Sequence, residues 1–240
     1  PFFPFISINT VPYSLFIIIF IWYYIFQLYT KYITKRKINM FEKKNLIKDY
    51  KDPISLFSAW FEEAKQKEIN DPDAMSLSTI SQKLLPSSRI VLLKSFDNGN
   101  FVFYTNTNSK KGISIQANSQ VALNFHWKSL LRQIRIEGIA KLVTNKEADE
   151  YFDSRPEGSK IGAWASEQSS ELKTREELIY KIKKYTEKYK EKIIPRPLYW
   201  TGFRVEPLLI EFWQDMPFRL HDRVEYKKNN NSWLIKKLYP

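Results

Sequence analysis

The densest group of side chains capable of chemistry lies near the C-terminus, in the segment Arg219-Leu220-His221-Asp222-Arg223. Alternate side chains of an extended strand project to the same face, so Arg219, His221 and Arg223 are predicted to share one face. Leu220 and Asp222 then project to the other face. Two guanidinium groups and an imidazole suit an anionic ligand that carries a flat ring. A solvated edge strand is the alternative interpretation, because charged side chains are common on such strands.

A second group of cations brackets an apolar run. Arg89 and Lys94 stand at its two ends, and the residues between them are Ile90, Val91, Leu92 and Leu93. The apolar centre is typical of a buried strand. Because Arg89 and Lys94 are separated by an odd number of positions, regular alternation places them on opposite faces, where they could hold two different anionic groups. Ordinary charged strand ends are the alternative.

A third group joins the end of a strand to the start of a helix. Tyr104-Thr105 closes a predicted strand, and Ser109-Lys110-Lys111 opens a predicted helix. A helix N-terminus offers free backbone N–H groups and the positive end of the helix dipole. Two lysines and nearby hydroxyls at this position therefore form a candidate phosphate site, although many surface helices begin in the same way.

A fourth group has a tyrosine, an arginine and a serine at intervals of four residues. Tyr151, Arg155 and Ser159 could converge on one phosphate, because arginine offers a bidentate fork and the hydroxyls can donate. Pro156 predicts that the helix stops near Arg155 and that Ser159 lies in the loop beyond it. Other polar positions of interest in this part of the chain are Gln133, Gln168 and Ser169.

The composition narrows the classes of function. The chain has no cysteine and two histidines, which excludes thiolate catalysis and cysteine-ligated metals, and no metal site is expected. The six glycines form no phosphate-binding loop of the G-x-G-x-x-G or Walker type, so side chains must hold any bound phosphate. A net charge of +12 and 16% aromatic residues raise a nucleic-acid-binding hypothesis. Much of the basic excess is lysine scattered over predicted helix surfaces, so no nucleic-acid partner is expected.

Residues 1–39 form an apolar N-terminal extension with no charge in the first thirty positions. The run from Leu15 to Leu28 is a candidate membrane span, and the basic cluster between residues 31 and 37 would keep the following domain on the cytoplasmic side. The alternative, which we favour, is that the extension is non-native upstream sequence and that Met40 is the true start. A cytoplasmic protein is expected, with membrane contact only if residues 1–39 are native.

Hydrophobic periodicity predicts alternating strands and helices after residue 52. Asp52-Pro53 is typical of a helix start, and Asp97-Asn98-Gly99 predicts a hairpin turn. The predicted helices are 53–69, 109–118, 146–153 and 171–191. The predicted strands are 74–81, 89–96, 100–105, 120–127, 132–143, 200–206, 208–214, 219–227 and 232–238. This pattern favours a β-rich α+β fold, a β-barrel with peripheral helices, and one domain over residues 40–240.

Taken together, these segments resemble the pyridoxine/pyridoxamine 5′-phosphate oxidases, flavin enzymes that make pyridoxal 5′-phosphate. The resemblance extends from Ala59 to Pro240. Its motifs are Arg89-Ile-Val-Leu-Leu-Lys94, Val102-Phe-Tyr-Thr-Asn106, Ser109-Lys-Lys111, Arg132-Gln133, Tyr151-Phe-Asp-Ser-Arg-Pro156, Ile161-Gly-Ala-Trp164, Gln168-Ser-Ser170, Trp200-Thr-Gly-Phe-Arg204, Ile210-Glu-Phe-Trp-Gln214 and Arg219-Leu-His-Asp-Arg223. Each motif is weak alone, so the resemblance depends on their number and common order.

The resemblance implies an FMN-binding split β-barrel with peripheral helices that forms a homodimer, with one FMN at each of two sites between the subunits. The cofactor-binding residues that it implies are Arg89, Ile90, Val91, Leu92, Leu93, Lys94, Tyr104, Thr105, Lys110, Lys111, Gln133, Gln168, Ser169, Trp213 and Arg223. The substrate-binding residues that it implies are Lys94, Tyr151, Arg155, Ser159, Arg219, Leu220 and His221. Of these, Arg219 and His221 would lie over the substrate ring and are the catalytic candidates.

The reaction that the resemblance implies is oxidation of pyridoxine and pyridoxamine 5′-phosphate to pyridoxal 5′-phosphate, with hydride transfer to FMN. Molecular oxygen would reoxidise the flavin and yield hydrogen peroxide. The sequence departs from the family pattern at Lys110, where arginine is usual, and in Met40–Tyr50, which lacks the usual arginine and tyrosine. The alternatives are another split-barrel FMN reductase or oxidase and a non-catalytic FMN-binding protein.

Overall fold

The structure is a computed structural model. It describes the backbone of residues 13–41, 47–48 and 50–240, and the side chains in those ranges apart from residues 13–17, 33–41 and 97. The prediction for Met40–Tyr50 falls partly outside the described residues, and so do residues 1–12 of the N-terminal extension, whereas the run from Leu15 to Leu28 lies within them and has a helical backbone. In the part of the chain that the structure describes, no helix combines the length and apolar character needed to cross a membrane.

The described residues form six α-helices and eight β-strands. The helices are α1 (Tyr13–Phe41), α2 (Pro53–Lys67), α3 (Lys110–Ala117), α4 (Asn145–Asp153), α5 (Glu157–Ala165) and α6 (Arg175–Tyr189). The strands are β1 (Ala74–Ile80), β2 (Pro86–Leu92), β3 (Phe101–Asn106), β4 (Gln120–Trp127), β5 (Arg132–Leu142), β6 (Trp200–Gln214), β7 (Asp222–Asn229) and β8 (Ser232–Lys237).

All the strands belong to one antiparallel sheet, which confirms the predicted β-rich α+β fold. Its order is β2-β1-β4-β5-β6-β7-β8, and β3 pairs with β6 outside this order. The first half of β6 lies between β5 and β3, and its second half lies between β5 and β7. The sheet therefore divides into two branches along β6, as expected for a split barrel.

The long strand β6 is continuous, whereas the sequence predicted two strands separated at Pro207. Proline has no N–H to donate and normally interrupts a ladder. Here the register shifts, because Gly138 pairs with Pro207 while Glu137 pairs with Leu209. A β-bulge of this kind accommodates the proline without ending the strand. Gly138 is required at the bulge, since a Cβ there would lie 2.3 Å from the backbone oxygen of Glu206.

Helix α2 packs on the sheet through apolar side chains at helical spacing, as predicted. Its buried residues are Pro53, Leu56, Phe57, Trp60, Phe61 and Ala64. The ring of Phe57 contacts the rings of Phe61, Phe96, Phe101, Phe125 and Trp127. The side chain of Asp52 caps the helix by accepting hydrogen bonds from the N–H groups of Ile54 and Ser55. Burial of one such ring contributes about 1.5–3 kcal/mol, so the cluster anchors α2 firmly.

Helix α5 corrects the prediction that Ser159 lies in a loop. Pro156 ends the preceding helical segment, as expected, but it also occupies the N-cap of α5. Proline is compatible with a helix start because its φ is already helical and its N–H is not needed there. Ser159 consequently lies in the first turn of α5, where its N–H donates to the oxygen of Pro156 at 2.9 Å.

The region between β2 and β3 also differs from its prediction. The turn at Asp97-Asn98-Gly99 forms, and both Asn98 and Gly99 have positive φ. The hairpin is limited to one bridge between Ser95 and Val102, since β2 pairs with β1 and β3 pairs with β6. The predicted strand 89–96 is replaced by β2 at Pro86–Leu92. Lys94 thus lies beyond the strand, and strand alternation does not determine where its side chain projects.

Candidate active site

A cavity of about 650 Å³ lies where the end of β2, the end of β3 and the start of β6 meet α3, α4 and α5. Eleven of the residues selected from the sequence line it: Ile90, Val91, Leu92, Lys94, Tyr104, Thr105, Lys111, Tyr151, Arg155, Ser159 and Gln168. Three of the four candidate groups therefore contribute residues to one cavity, although these residues lie as far apart in the sequence as Ile90 and Ser159.

Arg155 is the most unusual side chain of this cavity. Its Nη1 atom is buried without a hydrogen-bond partner, and it is the only such side-chain nitrogen or oxygen among the described residues. The guanidinium carbon lies over the ring of Trp200, 4.6 Å from the ring centroid. It also lies 5.7 Å from the ring centroid of Phe152. Burial lowers the pKa of Arg155, while the proximity of Tyr151 raises it. A partly buried cation whose buried Nη1 is an unused donor at a cavity wall suits an anionic ligand.

Three near-parallel aromatic rings form the wall beside Arg155. The ring centroids of Tyr104 and Tyr151 are 3.9 Å apart, and those of Tyr104 and Trp200 are 5.4 Å apart. Tyr104 pairs directly with Gly202 across β3 and β6. A Cβ at Gly202 would lie 2.8 Å from Cε1 of Tyr104, so glycine allows the tyrosine ring to lie flat on β6.

Lys111 joins α3 to the opposite part of the cavity wall. Its Nζ donates to Thr105 Oγ1 (3.3 Å), Ser109 Oγ (3.3 Å) and Gln168 Oε1 (3.0 Å). The Ser109 hydroxyl also caps α3 by accepting from Gly112 N–H, as the predicted helix start requires. Burial lowers the pKa of Lys111 from its ordinary value, and the charge of Arg89 lowers it further. The arrangement presents a second cation, hydroxyls and an amide to the same cavity.

Arg89 lies behind this wall and does not line the cavity. Its guanidinium donates to Leu77 O (3.1 Å), Thr79 Oγ1 (2.8 Å) and Ser87 Oγ (2.6 Å). Burial lowers its pKa. Its charge is nevertheless one cause of the lowered pKa of Lys111, so Arg89 adds positive potential at that lysine.

The C-terminal candidates form a separate cluster at the other end of β6. Gln133, Trp213 and Arg223 are direct neighbours across β5, β6 and β7. The imidazole of His221 packs on Trp213 with ring centroids 4.5 Å apart, and its Nδ1 lies 3.0 Å from Asp215 Oδ1. These residues do not line the cavity. Within one subunit the predicted site is therefore divided into two parts.

The predicted common face of Arg219, His221 and Arg223 is wrong as a strand pattern. β7 begins at Asp222, and Arg219 lies in a short turn at residues 217–219 with a φ of 61°. Arg223 is held by Glu211 Oε1 at 2.8 Å and by Tyr239 O at 2.9 Å. Arg219 and Leu220 are exposed. Pro217 and the left-handed residues Phe218 and Arg219 shorten the strand, which alternation alone does not reveal.

Three further predicted residues do not line the cavity, and the first of them, Leu93, is buried in the hydrophobic core. Lys110 is exposed in the first turn of α3, and Ser169 is exposed beyond α5 with a φ of 75°. The sequence analysis did not predict Trp200 as a site residue, although Trp200 lines the cavity and is the first residue of the motif Trp200-Thr-Gly-Phe-Arg204. It also missed Asp73, whose carboxylate lies 3.0 Å from Lys94 Nζ. No spacing rule links these partners, because their contacts depend on how distant segments pack.

Comparison with solved structures identifies the class. The chain superposes on PhzG from Burkholderia lata 383, solved with tetrahydrophenazine-1-carboxylic acid, with a TM-score of 0.76 and 28% identity over 82% of this chain and 97% of that one. It also matches a pyridoxamine 5′-phosphate oxidase-related, FMN binding protein from Nostoc punctiforme PCC 73102 with a TM-score of 0.63 and 13% identity, over 78% and 96% of the two chains. The fold is that of the FMN-binding split-barrel proteins.

Sequence comparisons then identify the family. Residues 61–189 match the family model for pyridoxamine 5′-phosphate oxidase, and residues 200–240 match the C-terminal dimerisation region of pyridoxine 5′-phosphate oxidase. The chain is 50% identical to the pyridoxine/pyridoxamine 5′-phosphate oxidase of Rhizobium meliloti (strain 1021), over 80% of this chain and 94% of the relative. It is 51% identical to that of Bartonella quintana (strain Toulouse), over 84% and 99%. The chain belongs to the pyridoxine/pyridoxamine 5′-phosphate oxidase family.

Proposed function

We propose that this protein oxidises pyridoxamine 5′-phosphate and pyridoxine 5′-phosphate to pyridoxal 5′-phosphate, with FMN as cofactor and molecular oxygen as the final acceptor. The observation that carries the proposal is the buried, unpaired Nη1 of Arg155 at the cavity wall. A phosphate monoester carries a charge of about −1.5 to −2 and three acceptor oxygens, which matches an arginine whose donor is unused.

The substrate phosphate would be held by Arg155 together with Lys94, Tyr151 and Ser159. All four line the cavity. Ser159 lies in the first turn of α5, so the positive end of this helix would also favour a phosphate bound there. The ring of Trp200 covers one face of the guanidinium, which shields that face from water and would strengthen its interaction with an anion.

The donor set around Lys111 fits FMN. Lys111, Thr105 and Gln168 line the cavity with the N-terminus of α3, and Arg89 adds its charge from behind the wall. These groups suit a phosphate and the polar side of a ribityl chain. FMN supplies the two-electron redox chemistry when it is bound. The protein residues would bind and orient the two reactants, so the reaction needs no strong general base among them.

The C-terminal cluster would complete the site of a second subunit. Gln133, Trp213 and Arg223, the remaining cofactor candidates, and Arg219 with His221, the catalytic candidates, lie outside the cavity of their own chain. The sequence from residue 200 onward matches the family's dimerisation region. We infer a homodimer in which each subunit contributes a cavity to one site and this cluster to the other, with Arg219 and His221 placed against the substrate ring.

The proposal is tested by comparing pyridoxamine 5′-phosphate with pyridoxamine as substrates of the FMN-loaded protein. Each charge-assisted hydrogen bond to the phosphate contributes about 1.5–3 kcal/mol, so kcat/KM is expected to be about 10³-fold higher for the phosphorylated substrate. Formation of pyridoxal 5′-phosphate and hydrogen peroxide would be measured in parallel. Equal turnover of both compounds would contradict the phosphate assignment. An FMN-loaded protein that oxidises neither would indicate another flavin function or a non-catalytic binding protein.

A further inference from the structure

Lys94 lies on the boundary between two cavities. It lines the main cavity, as Arg155 does, and it also lines a second cavity of about 550 Å³. Asp73 lines only the second of these, and its Oδ2 accepts a hydrogen bond from Lys94 Nζ at 3.0 Å. The ammonium group is therefore bonded to a residue of the second cavity and not to one that lines the main cavity.

The backbone beneath this ion pair is fixed on both sides. Leu93 N–H donates to the backbone oxygen of Asp73 at 2.8 Å, and Lys94 N–H donates to Val102 O at 2.8 Å. Val102 N–H in turn donates to Ser95 O at 2.8 Å. The flexible part of the system is the four-carbon side chain of Lys94, which has three donors on a rotatable ammonium. That side chain can change partner while the backbone stays in place.

We propose that Asp73 competes with the substrate phosphate for Lys94 and so sets the affinity of the site for phosphorylated ligands. This inference rests on the proposed function, because it takes the phosphate to bind beside Arg155 and Lys94. The carboxylate neutralises the charge of Lys94 toward an incoming anion. Its own negative charge also opposes a dianion that approaches the same ammonium. Asp73 is a specificity-determining residue in this account, and it acts through Lys94.

The Lys94–Asp73 pair is less exposed to solvent than the Lys141–Glu206 pair, and its lysine lines the main cavity. The side chains of Lys94 and Asp73 are 28% and 26% exposed, so solvent screens their interaction less than it screens the pair of Lys141 with Glu206, at 59% and 44%. Glu206 lies outside the main cavity. It therefore provides a matched control, a carboxylate bonded to a lysine at 2.7 Å with no contact to the site.

The test is the dissociation constant of pyridoxal 5′-phosphate, measured by calorimetry on the FMN-loaded protein and on its variants. Asp73→Asn keeps the size and shape of the side chain and removes its charge. We expect it to lower the dissociation constant about three- to tenfold, which corresponds to about 0.7–1.4 kcal/mol. Lys94→Met is expected to raise the constant at least about tenfold. Glu206→Gln is expected to leave it unchanged.

The double variant Asp73→Asn with Lys94→Met separates competition from a general field effect. If Asp73 acts through Lys94, the asparagine changes the dissociation constant less than about twofold once the lysine is gone. The proposal would be overturned if Asp73→Asn lowered the dissociation constant equally in the wild-type and Lys94→Met proteins. Unchanged or weaker binding by Asp73→Asn alone would also overturn it. A wild-type protein that binds pyridoxal 5′-phosphate but does not oxidise the substrates would refute the proposed function and leave this comparison valid. Failure of the wild-type protein to bind it would overturn both.

Discussion

Replacement of Arg155 by methionine is expected to stabilise the ligand-free protein while removing phosphate binding. The buried Nη1 of Arg155 has no partner, and an unsatisfied buried donor costs about 1–3 kcal/mol. The change removes this cost, but it also removes the contact of the guanidinium with Trp200 at 4.6 Å, which contributes about 0.5–2 kcal/mol. The methionine sulfur regains about 0.3–1.5 kcal/mol against the same ring. The net expectation is a gain of about 1 kcal/mol.

The assay is thermal unfolding of the FMN-loaded protein in phosphate-free buffer, with and without pyridoxal 5′-phosphate. For a chain of this size, 1 kcal/mol corresponds to a rise in Tm of about 2–4 °C. At about 100 times its dissociation constant, the ligand stabilises the wild-type protein by about 2.7 kcal/mol, and the variant is expected to lose most of this shift. The order of the two Tm values is thus expected to reverse when the ligand is added.

Arg132 provides the matched control. Its guanidinium also lies over a tryptophan ring, 4.4 Å from the centroid of Trp60, but it is bonded to Glu63 at 2.8 Å and to Gln214 at 2.9 Å. Arg132→Met is therefore expected to destabilise the protein by about 1–2 kcal/mol and to leave the ligand-induced shift intact. A loss of stability in Arg155→Met would show that the unpaired Nη1 does not destabilise the ligand-free protein. A full ligand-induced rise in Tm in that variant would show that Arg155 does not bind the phosphate.

Two other predictions concern the walls of the cavity. The pKa of Lys111 is lower in the folded protein than in the unfolded chain. At alkaline pH below the ordinary pKa of lysine, the folded protein therefore binds fewer protons than the unfolded chain. The free energy of unfolding consequently rises with pH in this range. Lys111→Met should abolish this contribution, which urea unfolding at neutral and alkaline pH measures. If the free energy of unfolding of the variant depends on pH as that of the wild-type protein does, the prediction is wrong. Gly202→Ala places a Cβ 2.8 Å from Tyr104 and 3.0 Å from Val143, and should cost about 1–3 kcal/mol and raise KM. Gly158→Ala adds a Cβ that meets no atom within 4 Å and should be neutral or slightly stabilising in the same assays. Equal losses of stability in the two variants would contradict the expectation that the close contact with Tyr104 causes the loss in Gly202→Ala.

Local signals account for the parts of the fold that the sequence predicted correctly. Asp52 followed by proline marked the start of α2, and Ser109 marked the start of α3, because a capping side chain needs only its neighbours. Alternating apolar residues located β4 and β5 within one residue of their observed bounds. The sequence indicates the candidate anion-binding groups because arginine, lysine and hydroxyl residues recur at helix and strand ends, where phosphate sites form.

The errors arise where tertiary structure decides a local choice. Pro207 signals a break, but the register shift opposite Gly138 lets β6 continue. Pro156 ends one helix and begins another, and the hydrogen bonds that decide this lie beyond the proline. The pairing of Lys94 with Asp73 and the division of the site between the cavity and the C-terminal cluster depend on packing of segments distant in sequence. Periodicity carries no information about such contacts.

The central claim is that this protein transfers two electrons from a phosphorylated pyridoxine or pyridoxamine to FMN and then to oxygen. The most direct test mixes the FMN-loaded protein with pyridoxamine 5′-phosphate without oxygen and follows the visible absorption band of the flavin. We expect the band to bleach and to return when air is admitted, with pyridoxal 5′-phosphate as the product. A flavin band that remains unchanged with saturating substrate would contradict it.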